Sequence, residues 1–144
     1  MKRTKEVDLH YPSKRDTTIW ITTQFEGRHR WAKAPKDTDE AFLRNMHRHM
    51  FRVKVSVQVF HNDRDIEFFQ LKHFVDNIIF NAFICKQDTK VGIGSCEMIA
   101  EVILNRLFED LHKRFLNRNI SVEVSEDGEN GAIVTHNMIY DVLD

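Results

Sequence analysis

The stretch from residue 47 to residue 59, His-Arg-His-Met-Phe-Arg-Val-Lys-Val-Ser-Val-Gln-Val, constrains this chain more than any other. From Phe51 onward apolar and polar residues alternate without a break, the pattern of a β-strand with one dry and one wet face. Side chains two apart on a strand point the same way. His47 and His49 therefore share the face that carries Phe51, Val53, Val55, Val57 and Val59. Two imidazoles at the edge of an apolar surface are costly unless something engages their lone pairs. A borderline metal such as zinc does so, and imidazole is one of its preferred ligands. A third histidine, His29, stands in Phe-Glu-Gly-Arg-His-Arg-Trp, just beyond an earlier candidate strand. Three imidazoles with an open fourth position suit a catalytic zinc better than a structural one. An isolated His-x-His is equally an ordinary polar pair on a strand, so the third histidine matters.

Two other users of His-x-His do not fit. Cupins place a Glu a few residues after the second His, where Val53 and Lys54 stand here. Amidohydrolase barrels need about 250 residues, and this chain has 144.

That length suits one domain with a real core. The chain is 30% charged, 42% hydrophobic and carries a net charge of -1, so nothing marks it for nucleic acid or a membrane surface. Cys85 and Cys96 match no zinc-ribbon or redox spacing and read as free thiols of a reducing cytoplasm. Neither a transmembrane run nor the apolar core of a signal peptide is expected.

Residues 1–16 read as a polar N-terminal arm, and 17–144 as a single domain. Strand one is expected over 17–25, rich in β-branched and aromatic residues. A loop follows over 30–45, with a helical turn near 40–44. Strand two spans 49–60, and 61–65 is a turn. Helix one is expected over 68–81, with Leu71, Phe74, Val75, Ile78 and Ile79 on one side. After Gly92 and Gly94, Ser95 is placed to cap helix two, with Glu97 in its first turn. That helix is expected to end near Phe115. Strand three covers 120–125, a turn 126–131 and strand four 132–136. The order ββααββ predicts an α+β fold, a four-stranded antiparallel sheet with two helices on one face. Such a sheet has bare edges, which ring closure among several copies would remove; a homo-oligomer is expected.

Several blocks of this chain resemble the 6-pyruvoyltetrahydropterin synthases and the related 6-carboxytetrahydropterin synthases of the 7-deazaguanine pathway, over roughly residues 20–134. That family's His after strand one and its His-Gly-His-Asn-Tyr block look like His29 and His47-Arg48-His49-Met50-Phe51. Its Asp-Phe-x-x-Leu-Lys looks like Glu67-Phe68-Phe69-Gln70-Leu71-Lys72. Its Thr-x-Glu-Asn-Ile-Ala looks like Ser95-Cys96-Glu97-Met98-Ile99-Ala100, and its Val-x-Val-x-Glu-Thr like Val122-Glu123-Val124-Ser125-Glu126-Asp127. The resemblance implies the tunnelling fold, assembled into an oligomeric β-barrel as trimers or hexamers. It implies one zinc per subunit on His29, His47 and His49. The implied substrate is 7,8-dihydroneopterin triphosphate, with Glu126 holding the pterin ring and Glu97 also at the substrate. A carboxylate can accept two parallel hydrogen bonds from a 2-amino/N3–H edge. Read without the resemblance, Glu126 is a solvated turn carboxylate.

The chain departs from the family at the proton-transfer groups. No Cys lies between His29 and His47; the family spacing lands on Leu43, and Arg44 stands where a subgroup has Glu. Asp39 and Glu40 lie upstream. Asn81 and Ala82 overlay the family's Asp-His pair and can transfer no proton. Each loss would cost roughly 10²–10⁴-fold in general acid-base catalysis. Glu40, if its loop is remodelled, and Cys85, His73, His112 and His136 are candidate substitutes, and each histidine also fits a surface or satisfied role. Lys72, Lys90 and Arg28 are candidates for a triphosphate, against the usual reading of exposed cations. Three functions stay open: a pterin-synthase-type lyase with a rearranged acid-base set, a zinc- and pterin-binding homologue without turnover, and zinc-dependent hydrolysis of another substrate.

Overall fold

The structure is a computed structural model, and it describes residues 14–85, 92–110 and 117–139. Four antiparallel strands lie in the order β1-β2-β3-β4: β1 Thr17–His29, β2 His47–Val59, β3 Ile120–Glu126 and β4 Asn130–His136. Between β2 and β3 come helices α1 (Phe68–Ile79) and α2 (Cys96–Asp110). The expected ββααββ order and α+β class hold. Most of the expected N-terminal arm, Lys90, His112 and the expected end of helix two at Phe115 lie outside the described residues.

The alternation of β2 holds from Phe51 to Val57, after which Gln58 on the polar face is buried as well. Phe51, Val53, Val55 and Val57 are at most 1% exposed, and Val122 and Val124 of β3 join them on the same face. Helix α1 packs on β1 and α2 on β3 and β4, burying Leu71, Val75, Ile99, Ile103 and Leu107 against that face. The opposite face is polar: Arg48 pairs with Glu26 at 2.9 Å, and Lys54 lies over the Trp20 ring. Arg48, inserted between two histidines, thus points away from them, as strand alternation requires. Among the described residues no helix is long and apolar enough to cross a membrane.

Strand β2 begins at His47 and ends at Val59 instead of spanning 49–60; three further boundaries differ from expectation, and two of them shape the site. Strand β1 does not stop at Phe25. It continues through Glu26-Gly27-Arg28 to His29, because β2 offers a ladder partner for every one of these residues, ending at His29↔His47. His29 is therefore the last residue of the strand and not a residue beyond it. A Cβ on Gly27 would meet the tip of the Ile93 side chain, which would have to shift to make room. The β3–β4 turn is tighter than expected, three residues over 127–129, with Asp127 (φ 55°) and Gly128 (φ 74°) both left-handed. Glu126 and Asn130 become the last ladder pair instead of turn residues. The third difference is at helix one, whose α-helical part ends at Ile79; a wider π-helical turn, Phe80–Ile84, takes up Asn81.

Candidate metal centre

The pairing register creates the cluster. His29 faces His47 directly across the β1–β2 ladder, and His49 follows one pleat along on the same side. The ring centroids of His29–His47, His29–His49 and His47–His49 are 4.5, 5.3 and 5.0 Å apart. One nitrogen from each ring lies within 4.8 Å of the others, close enough for all three to bind a single metal ion.

Each ring is turned by a partner on its other nitrogen. His29 Nδ1 donates to the Gly94 carbonyl at 2.8 Å. The Gly94 carbonyl reaches it because the segment after Gly92 runs antiparallel to the end of β1, with Ile93 N bonded to Arg28 O. A Cβ on Gly92 would strike that same Arg28 carbonyl, and its φ is 74°, so only glycine suits the position. His47 Nδ1 donates to Asn45 O at 2.8 Å. His49 Nδ1 meets Asp127 Oδ2 at 2.7 Å. A carbonyl oxygen only accepts, which sets the Nδ1–H tautomer of His29 and His47 and leaves Nε2 with a lone pair. Metal-binding histidines are oriented in this way, by a carbonyl or carboxylate on the far nitrogen. Burial, the largest influence, lowers the pKa of His29 and keeps it neutral; the Gly94 hydrogen bond and Glu126 oppose this. His29 is 7% exposed, and its Nε2 is buried without a hydrogen-bond partner.

Beside the cluster opens a cavity of about 740 Å³. Trp31, Leu43 and Met98 supply apolar walls, and Cys96, Glu97 and Glu126 supply polar groups. Glu126, on the inward face at the end of β3, sets Oε1 3.1 Å from His29 Nε2 and Oε2 3.6 Å from His49 Nε2. Glu97 lies in the first turn of α2; that helix is capped by Ser95, whose Oγ accepts from Met98 N.

The structure thus gathers His29, His47, Glu126 and Glu97 around one cavity, with His49 completing the histidine cluster beside it. It does not bring the proposed acid-base substitutes there. Cys85, Glu40 and His73 are all exposed, and none lines the cavity. Leu43, at the family's cysteine spacing, does line it, while Arg44 turns away to bond Ala34 O. Arg28 lies on the opposite face of the sheet from His29, and His136 packs on the Phe108 ring. Sequence reasoning missed Cys96 and Asp127. Cys96 shares the helical spacing of Ile99, Ala100 and Ile103, so periodicity alone could have put it on the inner side of α2. Asp127 gave no local signal, because its contact with His49 spans 78 residues.

Fold and site together define an α+β chain with a trihistidine centre open to a partly apolar cavity. Comparison with protein-family models gives no match, and comparison with curated proteins gives none.

Proposed function

We propose that the chain holds zinc on His29, His47 and His49. We read it as a protein of the 6-pyruvoyltetrahydropterin/6-carboxytetrahydropterin synthase type, acting on 7,8-dihydroneopterin triphosphate or a close pterin analogue. The observation that carries this reading is the three Nε2 atoms, each backed by an Nδ1 partner, beside a cavity with apolar walls and two carboxylates. Three imidazoles and an accessible cavity suit catalytic zinc. Zinc bound there would act as a Lewis acid on a substrate side-chain oxygen. Trp31 and Met98 offer surfaces for a flat bicyclic ring, and Glu126 or Glu97 can accept two parallel hydrogen bonds from its 2-amino/N3–H edge. Cys96 brings a thiol to the same wall, with its pKa pushed up to about 11 chiefly by burial and further by Glu126 and Glu97; it carries its proton at neutral pH.

The second reading, a zinc- and pterin-binding homologue without turnover, is favoured by one observation: Cys85, Glu40 and His73 stand away from the cavity. In either reading the protein works in the cytoplasm as a homo-oligomer, a trimer or hexamer joined through the edge strands β1 and β4. The two free cysteines suit a reducing compartment, and the places of β1 and β4 at the two ends of the sheet suit closure among copies.

Incubating the zinc-loaded protein with 7,8-dihydroneopterin triphosphate separates the readings. Triphosphate release that disappears in His47→Ala supports the synthase. Pterin binding without release supports the binding protein. Neither binding nor release rejects both.

A further inference from the structure

The geometry points to Glu126 as a fourth protein ligand of the metal centre, closing the open coordination position when no ring is bound, so that a ligand recruiting this carboxylate opens it. The opening rests on the reading above; the ligation does not.

Glu126 is opposite Phe51 in the β2–β3 register, which puts its side chain on the face that carries His47 and His49. Its two oxygens lie 3.1 Å from His29 Nε2 and 3.6 Å from His49 Nε2. Ligand atoms around a tetrahedral zinc with bonds of about 2.0–2.1 Å lie ~3.3–3.5 Å apart; Oε1 lies just inside that spacing from His29 Nε2 and Oε2 just outside it from His49 Nε2, so ligation takes a turn of the carboxylate that brings one oxygen to the trihistidine group. A hydrogen bond does not explain the shorter contact, since His29 Nε2 has no hydrogen-bond partner. A nitrogen more than nine-tenths buried, without a partner and beside a carboxylate, is what a shared metal ion would satisfy. Holding a 2-amino/N3–H edge takes both carboxylate oxygens. Glu126 therefore cannot bind the ring and close the metal at once, and ring binding exposes the coordination position.

The full chain loaded with Co²⁺ tests this through its visible spectrum and its response to thiocyanate, alongside zinc affinity from chelator competition. In the wild-type protein thiocyanate is expected to leave the cobalt spectrum unchanged. Glu126→Gln is expected to lose about 10–100-fold or more in zinc affinity and to gain a thiocyanate-dependent shift. Glu126→Asp keeps the charge but draws the carboxylate back, and is expected to behave like Gln. Glu123→Gln, on the opposite face of the same strand, is expected to match wild type in both readouts. Zinc affinity of Glu126→Gln within about twofold of wild type, or a wild-type cobalt spectrum that responds to thiocyanate as readily as the variant's, overturns the ligation. Neopterin added to wild-type cobalt protein is expected to restore the thiocyanate response; a bound pterin that fails to do so overturns the opening. Absent triphosphate release bears only on the synthase reading and leaves the ligation standing.

Discussion

Asp127 holds His49 from a backbone conformation that few residues accept. Its φ is 55°, a left-handed position that Asp and Asn tolerate better than most. From there Oδ2 meets His49 Nδ1 and Oδ1 accepts from Met50 N at 3.0 Å. These two contacts hold its carboxyl below the usual range, the His49 bond contributing most. Asp127→Ala loses both and frees the His49 ring to turn. Zinc affinity is expected to fall about 10–100-fold, with Asp127→Asn in between; unchanged affinity in a chelator competition would show that His49 needs no such anchor. The two cysteines differ as sharply. With a pKa pushed up to about 11, Cys96 is a thiolate in only about one molecule per thousand at pH 8, and the thiolate is the nucleophile. Cys85 is exposed. Iodoacetamide at pH 8 is expected to alkylate Cys85 long before Cys96, as peptide mass spectrometry can follow.

At the level of elements, the site depends on how β2 and β3 are registered, and a clamp at their far end holds that register. Arg118, just before β3, reaches Asp65 in the β2–α1 loop at 2.7 and 3.3 Å, and also Gln58 O at 3.1 Å. Asp65 in turn accepts from Phe60 N at 2.8 Å, and the guanidinium lies over the Phe60 ring. The Arg118 hydrogen bond, more than any other contact, holds Asp65 at a pKa of about 2 against an ordinary 3.8. A carboxylate with a folded pKa below its unfolded value stabilises the fold above the unfolded value. That contribution is therefore full above about pH 4 and lost as pH falls through 2. Asp65→Ala is expected to cost about 3 kcal/mol at neutral pH, the low end for breaking a buried pair, because both side chains keep some solvent contact. Urea titrations from pH 7 down to 2 should show the gap to wild type narrowing below pH 4. A constant gap would mean that the loss comes from packing and not from charge. A one-residue slip here would turn Glu126 to the opposite face of the sheet, so the clamp serves the site from a distance.

For the molecule as a whole, a bound metal ties the last residue of β1 to the start of β2. Whatever binds only the folded state stabilises it, by ~4 kcal/mol at a thousandfold excess over the dissociation constant. Zinc is expected to raise the melting temperature by roughly 10 °C in a chain of this size, and EDTA to reverse the shift. The double variant His47→Ala, His49→Ala should melt at one temperature with or without zinc. A zinc-induced shift that survives in it would place the stabilising ion elsewhere.

Local periodicity made much of this architecture readable. Period two placed His47 and His49 on the apolar face of β2, and helical spacing located α1 and α2, because each of these patterns is complete within a few consecutive residues. The ββααββ order followed from them, as did the Ser95 cap. The extension of β1 through Gly27 to His29 was not readable, since only pairing with β2 holds a glycine-containing segment in the ladder. Nor was the inward turn of Glu126, which depends on the tight hairpin and on the β2–β3 register. Sequence reasoning points to Cys85 as the candidate thiol, whereas the packing of α2 puts Cys96 at the cavity wall and leaves Cys85 exposed. The chain alone thus determined which residue types stand on which face. Tertiary structure decided which faces meet, because register and closure come from contacts between residues far apart in sequence, where no local pattern reaches.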